Sequence, residues 1–254
     1  MRRVRILVPE PQAEEARARL IELAPAGFEE ETSGGTLVLV AYADEASEPR
    51  VRAAFPGAEV EDLVPGWEDA WKRFHRPARI GPLWIGPPWE RPEDGSLPVV
   101  VEPGRAFGTG AHATTRLVVT ALLSLPPSSL LDLGCGSGVL ALAAARLGFA
   151  PVIAVDHDAA AVEATEANAR ANGLEVKTRR MDVLASSLPA AAVAVANIDL
   201  SVVTRLAARV EAEHLVTSGY LAGERFQARG WRHFERREAD GWAADVFTRA
   251  RAGA

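Results

Sequence analysis

The chain has 254 residues, 48% of them hydrophobic and 24% charged, with a formal net charge of −6. That length allows one large domain, or a medium domain with a small companion, and the composition is that of a globular protein. No apolar run is long enough to span a bilayer, and the acidic balance argues against nonspecific binding to nucleic-acid phosphates. The single cysteine, Cys135, rules out an internal disulfide and leaves no expectation of a metal site. The opening residues 1–9 are too short for a signal-peptide core, so the cytoplasm is the expected compartment.

In chain order, residues 3–8 read as a strand. Residues 12–24 carry Ala16, Leu20, Leu23 and Ala24 on one helical face, and Gly27 supplies a stop. Residues 28–32, a Ser33-Gly34-Gly35 turn and an apolar run over 36–41 predict a hairpin. Residues 45–55 predict a second helix, interrupted by Pro49, and 58–64 a further strand. This β-α-β-β-α-β order is that of a small ferredoxin-like α+β domain. The expected division is a small domain over 1–56, a linker over 57–70 and a large domain over 71–254. Prolines punctuate 77–98, where Trp84 and Trp89 imply short strands that bury them. From Ser129 onward strands and helices alternate. Strands are expected at 130–133, 152–155, from 176, at 191–197 and at 215–221, with helices at 138–147, 159–172 and 200–211 between them. A terminal antiparallel pair closes a doubly wound parallel sheet, a Rossmann-like α/β fold.

The richest local signal is Asp132-Leu133-Gly134-Cys135-Gly136-Ser137-Gly138, between a strand and a helix. Its glycines let the backbone turn sharply and approach a ligand. A dinucleotide site uses Gly-x-Gly-x-x-Gly, whereas the spacing here is Gly-x-Gly-x-Gly with an acid two residues upstream. A pyrophosphate is repelled by Asp132, while a cationic sulfonium nucleoside is not. Spacing and charge therefore favour S-adenosylmethionine. Asp156, at the end of the next strand, is placed to accept hydrogen bonds from ribose hydroxyls. His157 adjoins it. Asp182 is a candidate acceptor for the adenine amino group, and Met181 can pack on the base.

Asn197 and Ile198 close the fourth strand of the large domain beside the expected sulfonium position. An Asn side-chain carbonyl and a backbone carbonyl can accept an amine's hydrogens and aim its lone pair. They are the candidate catalytic pair. Asp199 reads first as the cap of the following helix. Upstream, the glycine-rich stretch 102–116 is expected to fold over the cofactor, with Phe107, Thr109 and Gly110 in a lid and Thr115 starting a helix and touching the cofactor. Cys135 is read as a small buried filler. His112 is read as a structural hydrogen-bonding residue and left out of the catalytic set.

The lid and the glycine loop together resemble the ribosomal protein L11 methyltransferase family. The residues that carry the resemblance are Pro103-Gly104-x-Ala106-Phe107-Gly108-Thr109-Gly110-x-His112-x-Thr114-Thr115, then Asp132-x-Gly134-Cys135-Gly136-Ser137-Gly138, Asp156 and Asn197-Ile198. The resemblance implies a seven-stranded methyltransferase domain and an amino-terminal domain that grips the substrate protein. It implies S-adenosylmethionine as cofactor, with Thr115, Gly134, Asp156 and Asn197 among its contacts; Gly136, in the same glycine turn, is a further candidate contact. It also implies methylation of lysine side chains and the N-terminal amine of a basic large-subunit ribosomal protein, free or ribosome-bound, to the trimethyl state. A monomer is expected, without sequence-specific nucleic-acid binding or membrane association. Two positions depart from the family pattern: Ala113 stands where Pro is usual, and Asp199-Leu200 where Leu-Ala is usual. The alternatives are a methyltransferase acting on another protein, RNA or a small molecule, and a noncatalytic ribosome-assembly module.

Overall fold

The computed structural model describes residues 2–9, 12, 13, 16, 19, 20, 23, 28–33, 36–43, 47–62, 76–102 and 112–250. The chain divides into two compact units, Met1–Lys72 and Arg73–Ala254.

The first unit is built on four strands: β1 (Arg2–Val8), β2 (Phe28–Ser33), β3 (Thr36–Ala43) and β4 (Glu59–Asp62). They lie in the order β2-β3-β1-β4 with every pair antiparallel, the ferredoxin-like arrangement. Strand periodicity explains the faces: Val4, Ile6 and Val8 of β1 are buried with Leu39, Ala41 and Ala43 of β3. Ala16 and Leu20, both in helical conformation, pack on that side. The helix Glu48–Ala54 adds Val51. Pro49 does not interrupt this helix. It sits in the first turn, where a missing N–H costs nothing. The strand expected at 58–64 forms over Glu59–Asp62 and pairs with Arg2–Arg5, so the small sheet extends into the stretch also expected as a linker over 57–70. Only Val60 in that strand is apolar. As an edge strand it needs few apolar residues, and Arg3 reaches Glu61 across the pair at 3.5 Å.

The second unit begins with a small sheet: β5 (Ala78–Ile80), β6 (Leu83–Gly86) and β7 (Leu97–Val100). Trp84 is fully buried within it. The main sheet has seven strands: β8 (Leu130–Leu133), β9 (Val152–Asp156), β10 (Lys177–Arg180), β11 (Val193–Asn197), β12 (His214–Leu221), β13 (Trp231–Ala239) and β14 (Trp242–Arg249). Their order is β10-β9-β8-β11-β12-β14-β13; the first five are mutually parallel, and β14 runs antiparallel to both of its neighbours, β12 and β13. Successive residues of β11 alternate between two cores. Val193 and Val195 join one with the helices Ala113–Leu122 and Val139–Arg146, while Ala194 and Ala196 join the other with the helix Leu200–Ala207. Burial on both faces is why such strands read as continuous apolar runs. The helix Ala159–Asn172 starts on Asp158, whose side chain accepts from the Ala160 N–H at 2.9 Å, and stops at Gly173 in the left-handed region. The last helix ends at Ala207 rather than 211, where the Trp231 indole donates to the Ala207 carbonyl at 2.8 Å.

The chain leaves β8 toward β9 and β10 on one side and returns to β11 on the other. The carboxyl ends of β8 and β11 therefore flank the switch point where ligands bind in doubly wound sheets.

Candidate active site

Three glycines at the end of β8 have positive φ: 79° at Gly134, 55° at Gly136 and 82° at Gly138. At two of them space is also decisive. A Cβ on Gly134 would lie 2.6 Å from Cγ2 of Ile198, and one on Gly138 would lie 2.7 Å from Cγ2 of Thr165. Nearly every polar group of the turn is committed. The N–H groups of Gly134 and Cys135 donate to the Val155 carbonyl at 2.9 and 3.1 Å. The Gly136 N–H donates to Oδ2 of Asp156 at 3.0 Å. Two buried side chains of the helix Ala159–Asn172 complete the set: the Thr165 hydroxyl donates to the Gly136 carbonyl at 3.0 Å, and the Asn168 amide to the Ser137 carbonyl at 2.9 Å. Asn168 Oδ1 also accepts from the Glu102 N–H at 3.1 Å, so one helix fixes both the turn and the chain leaving β7.

Beyond the turn lies a cavity of about 480 Å³. Its volume falls in the usual range for a small-molecule site, about 300–1,000 Å³. Thr115, Gly134, Gly136, Asp156, His157, Met181, Asp182, Asn197 and Ile198 all line it. The structure thus brings together nine of the residues singled out from the sequence. Phe107, Thr109 and Gly110 lie outside the described residues. Asp132 does not line the cavity. It is 1% exposed behind the turn, where Oδ2 accepts from the Ala141 N–H at 3.1 Å and anchors the start of the helix Val139–Arg146. Burial pushes its carboxyl up to about 7, which weakens its standing as a fixed negative charge facing a ligand. Burial likewise pushes the Cys135 thiol up to about 12, so it is an inert filler.

Asp156 keeps its cavity position while bonding the turn: Oδ1 accepts from the Asp158 N–H at 3.0 Å. Asp182 Oδ1 accepts from the Leu184 N–H at 2.8 Å, and among the described residues its Oδ2 has no partner. Thr115 is not the helix cap. His112 is, its Nδ1 accepting from the Thr114 N–H at 3.4 Å, and Thr115 follows inside the first turn at 2% exposure. Asp199 caps the helix Leu200–Ala207, accepting from the Ser201 N–H at 2.8 Å. The bonds from Ser201 hold its carboxyl below the usual carboxylate range, which makes it a poor base.

Asn197 Nδ2 donates to the Thr114 hydroxyl at 3.1 Å. Among the described residues its Oδ1 has no partner. The Ile198 carbonyl faces Gly219, where any Cβ would lie 2.3 Å from that oxygen. One wall of the cavity therefore presents an open carbonyl acceptor beside the glycine turn.

The ribosomal protein L11 methyltransferase (PrmA) family model matches residues 6–247, nearly the whole chain and both units. The chain belongs to this family. Ribosomal protein L11 methyltransferase of Symbiobacterium thermophilum is 39% identical over 208 residues, covering 76% of this chain and 67% of that one. Its counterpart from Sorangium cellulosum is 38% identical over 255 residues, covering 87% and 80%. The crystal structure of ribosomal protein L11 methylase from Lactobacillus delbrueckii subsp. bulgaricus matches with a TM-score of 0.61 and 24% identity over 70% of this chain and 100% of that one, which speaks for the fold.

Sequence reasoning missed several residues of this family member's site. Thr165 and Asn168 are polar positions on the buried stripe that includes Ala161 and Ala169, a signal that was available. Gly219 interrupts an apolar strand, which marks a close backbone approach. Leu140, Val183, Leu184 and Val202 supply apolar lining and look like any other core residue in sequence.

Proposed function

We propose that the chain transfers methyl groups from S-adenosylmethionine to amino nitrogens of ribosomal protein L11, at lysine side chains and the N-terminal amine, up to the trimethyl state. One observation carries the reading: the glycine turn after β8 and the open Asn197 carbonyl after β11 share one cavity at the switch point. The residues present fit the donor. The turn admits close approach, Asp156 and Asp182 offer carboxylate oxygens, and Met181, Val183 and Leu184 offer apolar surface for a base.

When bound, S-adenosylmethionine supplies an electrophilic methyl group on a sulfonium. The protein's part is to position and neutralise the amine. Asn197 Oδ1 and the Ile198 carbonyl accept its hydrogens and aim its lone pair. A free lysine has a pKa of about 10.4 and must lose a proton before it attacks. Val139, Leu140, Ile198 and Val202 desolvate the amine and favour its neutral form, so that water, rather than a strong protein base, takes the proton. The small unit selects the protein substrate, and the enzyme acts as a cytoplasmic monomer where ribosomal proteins are assembled.

Incubation with labelled donor and either L11 or ribosomal RNA, followed by mass spectrometry, tests the reading. Label on L11 amines is expected, with at least a 100-fold loss of transfer in Asn197→Ala, the scale of a lost positioning group. Label on RNA alone, or full transfer by Asn197→Ala, overturns it.

A further inference from the structure

The side chain of Asn197 is symmetrical in shape but not in chemistry. If the amide is turned over, an N–H pair faces the amine and repels its hydrogens instead of accepting them. Something must choose the orientation. The only side-chain partner found for Asn197 among the described residues is Thr114, and Thr114 is itself bonded to His112: Thr114 Oγ1 lies 2.8 Å from His112 Nδ1.

The directions along this chain follow from the His112 tautomer that the helix cap assigns, with Nδ1 unprotonated. His112 Nδ1 caps the helix Ala113–Leu122 by accepting from the Thr114 backbone N–H, so this nitrogen is an acceptor. The Thr114 hydroxyl therefore donates its proton to Nδ1. Its oxygen lone pairs remain, and a lone pair can only accept. Asn197 must then present its NH₂ to Thr114, which leaves Oδ1 for the cavity. The histidine ring is held for this purpose by an edge-on contact with Trp242, 5.0 Å between centroids at 69°. Thr114 is 2% exposed, so no water substitutes for it.

We infer that Thr114 and His112 are positioning residues that set the Asn197 amide with its carbonyl toward the substrate amine. The inference rests on the reading of Asn197 as the amine acceptor. It makes His112 neither a base nor a cofactor ligand. Its work is done two bonds away.

Thr114→Val keeps the shape of the side chain and removes the hydroxyl; Thr114→Ser keeps the hydroxyl and removes a methyl. In single-turnover assays with L11, Thr114→Val is expected to lower the methyl-transfer rate about tenfold, the scale of one lost hydrogen bond. Affinity for the donor, measured by calorimetry, is expected to stay unchanged. Thr114→Ser restores the rate. In the Asn197→Ala background, Thr114→Val adds no further loss. In the donor-free protein, the Asn197 side-chain amide resonances report the orientation directly: fast-exchanging protons in Thr114→Val, protected ones in the parent and in Thr114→Ser. A Thr114→Val enzyme with parental rate and a protected amide overturns the inference. If Asn197→Ala also retains the parental rate, the amine reading fails with it; if Asn197→Ala is impaired, only the positioning role of Thr114 and His112 falls.

Discussion

Replacing Gly219 by alanine displaces the amine wall without removing any group that bonds a ligand. Gly219 lies in β12 at the register shift between Ser218 and Tyr220, with φ of 101°. Two penalties follow. An L-residue in that conformation costs roughly 1–3 kcal/mol of folding stability. The added Cβ would also stand 2.3, 2.7 and 2.8 Å from the O, C and N atoms of Ile198. Ordinary contact begins at 3.4 Å, so the Ile198 backbone must move by about 1 Å. Because these are backbone atoms, no rotamer change relieves the clash. A displacement of about 1 Å at a positioning group costs on the order of 100-fold in rate. The expected phenotype is selective: single-turnover methylation of L11 falls about 100-fold, while donor affinity by calorimetry changes only a few-fold, since the turn's own bonds to Asp156, Thr165 and Asn168 are untouched. Gly223→Ala is the control, because its Cβ meets nothing within 4 Å. A folded Gly219→Ala enzyme that transfers methyl groups at the parental rate refutes the argument.

Two further predictions concern the turn. Asn168→Ala removes the bonds to the Ser137 carbonyl and the Glu102 N–H, so it should cost about 2–3 kcal/mol in urea unfolding and weaken donor binding together with it; parental donor affinity would separate the helix from the site. Asp132 sets a pH dependence. In the folded protein it holds its proton up to about pH 7, whereas an ordinary aspartate releases it near 3.8. Between those values the folded state binds more protons than the unfolded one, so this group makes stability fall as pH rises from about 4 to 7, by at most about 4 kcal/mol. Asp132→Asn should flatten that slope, as read from urea midpoints at several pH values, and an unchanged slope would count against the buried-acid account.

Much of this architecture was legible from local pattern. The helix Ala159–Asn172 has the bounds expected from Asp158 and Gly173, because capping and stop signals act within one turn of the chain. The glycine turn, Asp156 and Asn197 could be placed for a related reason: each closes a strand, and strand ends in a parallel sheet converge. What was not legible depends on which faces meet. Thr114 and Asn197 are 83 residues apart, and neither sequence neighbourhood records the bond between them. Asp132 shows its charge in sequence but not its burial, so an acid suited to facing a cation turned out to brace a helix instead. The edge strand Glu59–Asp62 falls within the stretch expected as a strand over 58–64, but its shorter bounds depend on pairing with β1 and not on its own side chains.

The two walls of the cavity are built on opposite principles, and under the proposed function the difference lets one site bind a single donor and accept several amines. On the donor side the backbone of residues 134–138 spends its polar groups internally, on Val155, Asp156, Thr165 and Asn168. A turn so bonded cannot adapt, and it suits one unvarying ligand. On the amine side the carbonyl of Asn197 is left open, its orientation fixed from behind by a single hydroxyl. A carbonyl acceptor needs only an N–H to hold, so under the proposed function it takes a lysine side chain or a chain terminus alike, and a monomethylated amine after an unmethylated one. Each added methyl removes one hydrogen that the acceptors can hold. A dimethylated amine keeps its lone pair once deprotonated but has no hydrogen left for them to bind, so its positioning falls to the apolar lining of Leu140, Ile198 and Val202. Under the proposed trimethylation, Leu140→Ala should therefore slow the third methyl transfer more than the first, seen by mass spectrometry as accumulated dimethyl product. A uniform slowing of all three steps would refute this division of labour.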